Sequence, residues 1–242
     1  MKTHLLFLAA LTAAALAAEP LSRTERAKMI TAFEETVEEA SSAIGKETGP
    51  ALVREYSRRG DALLFLGKAK EAVADFEKMI DLDPSQDAPH WRLGIAYYFA
   101  GDFAKSAKQF EKYHAYDNRD RENGVWKFFA QAKVDGIEKA RKEMLEYTRF
   151  DRHPFPAVYE MLAGKKTGAE VLTEMEKKEK QDDPLVMFFA HYYIGWNEQL
   201  NGRNDAAKEH LAKAVELSIK AGAGGGPGYM GQVARLHYEA LK

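Results

Sequence analysis

Apolar residues recur at intervals of three and four along most of the chain, whereas strictly alternating stretches are almost absent. Met29, Phe33 and Val37, for example, share one face of a predicted helix. Ser22 and Glu25 precede that face with the spacing of a capping box, which indicates where the helix begins. This pattern predicts an all-α fold.

The helical pattern repeats with a period of 34 residues. Nine positions between residues 58 and 84 are identical to the positions 34 residues later, among them Gly60/Gly94, Gly67/Gly101 and Phe76/Phe110. A glycine lets two helices approach closely, and a phenylalanine fills the space beside it. We therefore predict stacked helix hairpins, each of which buries its apolar face against its neighbours.

The spacing of these positions resembles the tetratricopeptide repeat (TPR) family. The matching residues are Gly60, Ala72, Phe76 and Pro84 in one unit and Gly94, Tyr97, Gly101 and Phe110 in the next. A third copy follows downstream, with Gly195, Gly202, Ala207, Leu211 and Ala214 at the same relative places. The resemblance implies a superhelix whose concave face binds a partner.

The sequence thus predicts an all-α TPR superhelix (solenoid) of about four to five helix pairs with capping helices. Its predicted segments are a signal peptide (1–18), an N-terminal capping helix (19–48), two TPR units (49–120), degenerate helical pairs (121–181), a late TPR unit (182–220), a Gly-rich loop (221–228) and a C-terminal closing helix (229–242).

The first residues have the pattern of a secretory signal. Lys2 is followed by an apolar core and then by small residues, which predicts cleavage after Ala17 or Ala18 and a periplasmic or secreted product. An uncleaved membrane anchor is the alternative, but an apolar run of about 14 residues is short for a bilayer. Because the chain has no cysteine, we expect no disulfide and no lipid anchor after cleavage.

The order of the helical segments resembles the NlpI-type TPR lipoproteins of bacterial envelopes. The resemblance covers most of residues 22–220, and it implies an adaptor that brings a protease to peptidoglycan hydrolases, often as a homodimer. This chain lacks the lipid-bearing cysteine of that family. Membrane attachment is therefore not implied.

Charge and motifs exclude several classes of function. A net charge of -2 gives no basic surface for nucleic acid. The chain has no nucleophile elbow, no phosphate-binding loop and no His-Glu-x-x-His helix, and its seven histidines are dispersed. We expect a non-catalytic protein without a cofactor or a metal.

In TPR proteins the first helix of each hairpin lines the concave groove, and this resemblance predicts a peptide-binding groove in the present chain. The residues concerned are Trp91, Ile95, Tyr98, Tyr192 and Trp196. TPR proteins that hold chaperone C-termini use Lys, Asn and Arg at such positions, so that ligand class is disfavoured. The aromatic groove suits a peptide with apolar anchors or the chain's own closing segment folded back inside. Two hypotheses for function remain: an adaptor for a protein or peptide, such as an envelope protease or hydrolase, and a structural, self-associating solenoid without a peptide ligand.

Overall fold

The computed structural model describes residues 19–149, 151–222 and 228–241. These residues form twelve α-helices, one short 3-10 helix (Pro84–Gln86) and no strand, which confirms the predicted all-α TPR solenoid. The helices are α1 Arg23–Ile44, α2 Gly49–Phe65, α3 Ala69–Leu82, α4 Trp91–Ala100, α5 Phe103–Tyr116, α6 Arg121–Asp135, α7 Ile137–Lys142, α8 Phe155–Leu162, α9 Gly168–Lys177, α10 Pro184–Leu200, α11 Asn204–Ala221 and α12 Tyr229–Glu239. The predicted signal peptide and the core of the Gly-rich loop (223–227) lie outside the described residues.

Consecutive helices pack against one another as hairpins joined by short loops. The five hairpins are α2–α3, α4–α5, α6–α7, α8–α9 and α10–α11. Helix α1 packs on α2, and α12 contacts both α11 and α2. The last helix therefore reaches back to the beginning of the array. Every helix in the described residues is too short or too polar to span a bilayer.

A phenylalanine lies directly against a glycine in each of the first two hairpins. A Cβ atom on Gly60 would lie 2.7 Å from the ring of Phe76, and one on Gly94 would lie 2.7 Å from the ring of Phe110. Beside the second contact, the Ser106 hydroxyl donates a hydrogen bond of 2.8 Å to the Gly94 carbonyl. The two glycines therefore set the distance between the helices of each hairpin.

The same phenylalanines connect each hairpin to the next one. The ring of Phe76 lies 4.9 Å from His90 at the start of α4. Similarly, the Phe110 ring is stacked on the Trp126 ring of α6, with the ring centroids 5.8 Å apart. Phe76 is 0% and Phe110 1% exposed, so their predicted burial between units is confirmed.

Side chains cap the starts of three helices, including the predicted start at Ser22. Ser22 with Glu25 and Thr167 with Glu170 both form complete capping boxes. Asp183 caps α10 by accepting from two backbone N–H groups. These side chains satisfy N–H groups that have no partner within the helix.

Two helices end earlier than their apolar patterns predict. The pattern extends α7 to Tyr147, but the helix ends at Lys142. It also extends α9 to Lys180, whereas the helix ends at Lys177 because Glu179 has a left-handed φ of 55°. The Lys180 N–H then donates back to the Met175 carbonyl at 2.8 Å, which closes the helix.

Replacing the phenylalanine of the first hairpin should destabilise the whole array. We expect Phe76→Ala to lower the free energy of unfolding by about 3–5 kcal/mol, because it leaves a cavity between Gly60 and His90. Tyr116→Ala, at a side chain that is 64% exposed, should change it by less than about 1 kcal/mol. Urea unfolding of the wild type and the two variants measures both changes in free energy. Equal stabilities of Phe76→Ala and the wild type would contradict the repeat packing.

Candidate functional site

The five residues of the predicted groove do converge, but most of them are buried. Tyr192 is 0%, Trp196 1%, Ile95 1% and Tyr98 8% exposed, and Trp91 alone is half-buried. The Trp196 indole donates a hydrogen bond of 3.1 Å to the Tyr98 hydroxyl, and their rings lie 4.9 Å apart. Four of the five side chains are therefore covered within the fold, and a peptide-binding role for these residues stays a prediction.

Helix α12 is what covers the groove residues. Its His237 ring lies 4.6 Å from Trp196 and 5.6 Å from Tyr192, and its Nδ1 is 2.7 Å from the Tyr192 hydroxyl. Burial lowers the pKa of His237 to about 3, so the ring is neutral at ordinary pH. Helix α12 thus fills the space beside Tyr98, Tyr192 and Trp196, which we call the hollow, as an apolar ligand would.

Polar contacts fix α12 to the first helices of the array. Arg235, 2% exposed, donates to the Phe65 carbonyl at the end of α2 and pairs with Glu239 at 2.9 Å. Glu239 in turn accepts two hydrogen bonds from Arg26 of α1, at 2.7 and 3.0 Å. A buried guanidinium needs such partners. These contacts make α12 an integral wall of the fold.

One part of the hollow is left uncovered, next to Trp91. It is a cavity of about 210 Å³ between α4, α5, α6 and the start of α12, and we call it the Trp91 cavity. Its lining residues are Trp91, Phe110, Tyr113, Asp120, Glu122, Asn123, Trp126 and Met230. Half of them are aromatic, which suits a small ligand or a side chain from a partner.

The surface also has larger depressions, but their linings differ in kind. One of about 430 Å³ lies beside α2 and α3, and one of about 450 Å³ surrounds His191 and His210. Neither contains a tryptophan, tyrosine or phenylalanine. Aromatic side chains carry most of the binding energy in protein interfaces. The Trp91 cavity is therefore the better candidate for a binding site.

Two carboxyl groups lie at one end of the Trp91 cavity. Asp120 caps α6 by accepting from the Glu122 N–H at 3.0 Å. Glu122 accepts from the Tyr193 hydroxyl at 2.6 Å and from Arg152 at 2.8 Å. Burial, helped by the neighbouring Asp120, nevertheless raises the pKa of Glu122 to about 7. Glu122 can therefore gain or lose a proton near neutral pH.

The start of α4 positions Trp91. The side chain of His90 caps the helix by accepting from the Leu93 N–H at 2.9 Å. Arg92 pairs with Asp61 of α2 at 2.6 Å, and its guanidinium lies 5.7 Å from the centroid of the Trp91 ring. These contacts hold the indole at the mouth of the cavity.

Other kinds of site find little support in the described part of the chain. No group of three or more His, Asp or Glu side chains there could hold a metal ion. His191 and His210 come close, with their Nδ1 atoms 2.9 Å apart and their ring centroids 5.1 Å apart. At those distances the two nitrogens point at each other and share a hydrogen bond. Their lone pairs do not converge on a common third point.

A comparison with known families agrees with this architecture. The tetratricopeptide repeat model matches residues 56–86, which include most of α2 and all of α3. The described residues thus form an all-α solenoid that contains a tetratricopeptide repeat, and such repeats are typical of scaffolds for protein–protein interaction.

Two curated relatives match parts of the chain. Over 122 residues, 50% of this chain and 20% of the relative, the chain is 27% identical to Hsp70-Hsp90 organizing protein 3 of Arabidopsis thaliana. Over 85 residues, 35% of this chain and 14% of the relative, it is 38% identical to the Hsp70-Hsp90 organizing protein of Triticum aestivum. The matches thus span a fifth or less of the relatives' length. The resemblance to NlpI-type lipoproteins stays a prediction.

The cap beside Trp91 should make stability depend on pH. Burial, helped by Arg92, lowers the pKa of His90 to about 4, while an unfolded histidine titrates near 6.5. Below about pH 6.5 the unfolded state therefore binds more protons. His90 should then reduce stability by up to about 1.4 kcal/mol for each further pH unit, until the pH approaches 4.

Replacement of His90 by asparagine isolates this effect. Asparagine can accept the same N–H but does not titrate. We expect the wild type to lose more stability than His90→Asn between pH 7 and pH 5, as measured by urea unfolding. Parallel losses in the two proteins would show that His90 is not held neutral.

Proposed function

We propose that the protein is a non-catalytic scaffold or adaptor that binds another protein through a segment inserted at the Trp91 cavity. The observation that carries this proposal is the cavity itself, where Trp91 and Tyr113 are partly exposed beside the start of α12. Support also comes from the TPR repeat at 56–86 and from the TPR proteins among its relatives.

The partner is proposed to be a protein of the bacterial envelope, such as a protease or hydrolase. This part rests on the predicted signal peptide and on the order of helical segments. Asp120 and Glu122 would repel the C-terminal carboxylate that chaperone-binding TPR proteins hold.

The alternative is a structural, self-associating solenoid, with a homodimer as the simplest assembly. The burial of Tyr98, Tyr192 and Trp196 under α12 favours it, because the usual ligand groove is filled by the protein itself. The two functions predict different behaviour of the purified chain. Light scattering during size exclusion detects a self-associated form that has no other protein attached.

Capture of a partner tests the adaptor function. Immobilised protein should retain a defined envelope protein that is identified by mass spectrometry. Trp91→Ala should abolish this capture while destabilising the fold less than Phe76→Ala does, since Trp91 is only half-buried. Tyr116→Ala, on the exposed end of α5, should retain it. Equal capture by Trp91→Ala and wild type would place the interface elsewhere.

The proposed location has a separate test. Intact-mass measurement of the protein from an envelope fraction should show loss of the first 17 or 18 residues and no added lipid. A full-length cytosolic product would overturn the proposal of secretion, but it would leave the binding proposal standing.

A further inference from the structure

The lining of the Trp91 cavity combines aromatic rings with negative charge. It contains the rings of Trp91, Phe110, Tyr113 and Trp126 together with the carboxyl groups of Asp120 and Glu122. Among the described residues that line it, none is lysine, arginine or histidine. All the ionisable charge that faces the cavity is therefore negative.

Rings and carboxylates attract the same kind of ligand. The face of an aromatic ring carries negative potential and attracts cations, an effect that strengthens when water is excluded. The protein already uses this attraction: the Arg92 guanidinium lies 5.7 Å from the Trp91 ring, and the Arg152 guanidinium lies 4.4 Å from the Phe155 ring. A cation in the cavity would meet both kinds of attraction at once.

The carboxyl groups at the end of the cavity are incompletely balanced by the protein itself. Arg152 is shared between these two groups, at 2.8 Å from Glu122 and 3.2 Å from Asp120, and a third carboxyl group outside the lining, that of Asp151, at 3.4 Å. The guanidinium of neighbouring Arg121 lies 5.3 Å from the centroid of the Tyr147 ring and donates to the Tyr147 carbonyl. A further positive charge would relieve the repulsion among the three carboxylates.

The size of the cavity limits the ligand to one side chain. Sites for drug-sized molecules usually exceed about 300 Å³, whereas this cavity holds about 210 Å³. A long, flexible side chain with a charged end fits such a space, with its methylene groups against the rings and Met230.

We propose that the Trp91 cavity binds a lysine or arginine side chain presented by a partner protein. The ammonium or guanidinium group lies between the aromatic faces and approaches Glu122 and Asp120. The partner as the source of this side chain rests on the proposed function, whereas the preference of the cavity for a cation does not. A TPR clamp for a C-terminal carboxylate binds a negatively charged group, whereas this cavity would bind a positively charged one.

Binding of the cation should be coupled to the proton on Glu122. The groups that face this carboxyl are the Tyr193 hydroxyl, Arg152, Asp120 and Asp151, and burial raises its pKa to about 7. A bound cation stabilises the carboxylate form, so binding releases a proton when it occurs near or below that pH. Affinity should therefore rise between pH 6 and pH 8.

Two tripeptides of nearly equal shape test the proposal directly. N-acetyl-Gly-Arg-Gly-amide carries the charge, and the same peptide with citrulline in place of arginine does not. Titration of the full chain, followed by tryptophan fluorescence, reports on Trp91 and Trp126 in the lining. We expect the arginine peptide to bind about tenfold or more tightly than the citrulline peptide, and more tightly at pH 8 than at pH 6. Equal affinities, or no saturable binding of the arginine peptide, would overturn the proposal.

A pair of tyrosines on α5 supplies a matched control. Tyr113 lines the cavity, while Tyr116, whose ring lies 6.1 Å away, is 64% exposed and is not part of the lining. Tyr113→Ala should weaken binding of the arginine peptide several-fold, and Tyr116→Ala should leave it unchanged. Equal effects of the two substitutions would contradict binding in this cavity.

Glu122→Gln tests the charge separately from the shape. The amide oxygen can still accept from Tyr193, so the fold is expected to persist, which circular dichroism checks. The variant should bind the arginine peptide about tenfold more weakly and should lose most of the pH dependence. Should this variant fail to fold, Tyr113→Ala still tests whether the peptide binds in this cavity, and the citrulline peptide still tests whether the cavity prefers a cation.

Failure of this inference can be told apart from failure of the proposed function. If a partner is captured through Trp91 but the two tripeptides bind alike, the adaptor function stands and the cation preference is wrong. If the arginine peptide alone binds and no partner is captured, the cavity is a cation site and the adaptor function is wrong.

Discussion

The contact between a glycine and a phenylalanine sets the geometry on which the rest of the structure depends. Because Gly60 and Gly94 have no side chain, the rings of Phe76 and Phe110 lie directly on the backbone of the facing helix. Each ring also reaches the next hairpin, so one side chain determines both the spacing within a unit and the packing between units. Repetition of this contact stacks the first hairpins at a fixed spacing, so each hairpin packs on its neighbour in the same way.

Sequence patterns predict the features that are local, since they depend on residues a few positions apart. The glycine and phenylalanine positions follow from the 34-residue period, and the caps at Ser22, Thr167 and Asp183 follow from their side chains. The convergence of Tyr98 on Trp196 was also predictable, because both positions lie on first helices of TPR-like hairpins. The lengths of α7 and α9 were less accessible, since the apolar pattern continues after the hydrogen bonds have stopped.

The candidate site was largely hidden because it depends on contacts between distant parts of the chain. Met230 joins Trp91 in the lining only once α12 has folded back, and periodicity carries no signal for that. The ion pairs of Asp120 and Glu122 with Arg152 depend on the loop that precedes α8. Burial then changes the chemistry of Glu122, whose pKa cannot be inferred from residue type alone.

Helix α12 both closes the hollow and completes the site. Tyr229, at its first turn, packs against Trp91 and Phe65 with ring centroids 4.8 Å apart in each case, while His237, two turns later, packs against Trp196. The helix therefore lies across the hollow, and beside its own beginning Met230 forms a wall of the Trp91 cavity. The same helix thus buries the aromatic groove and supplies one wall of the cavity. A side chain that entered the cavity would therefore contact α12 and would not have to displace it from the hollow.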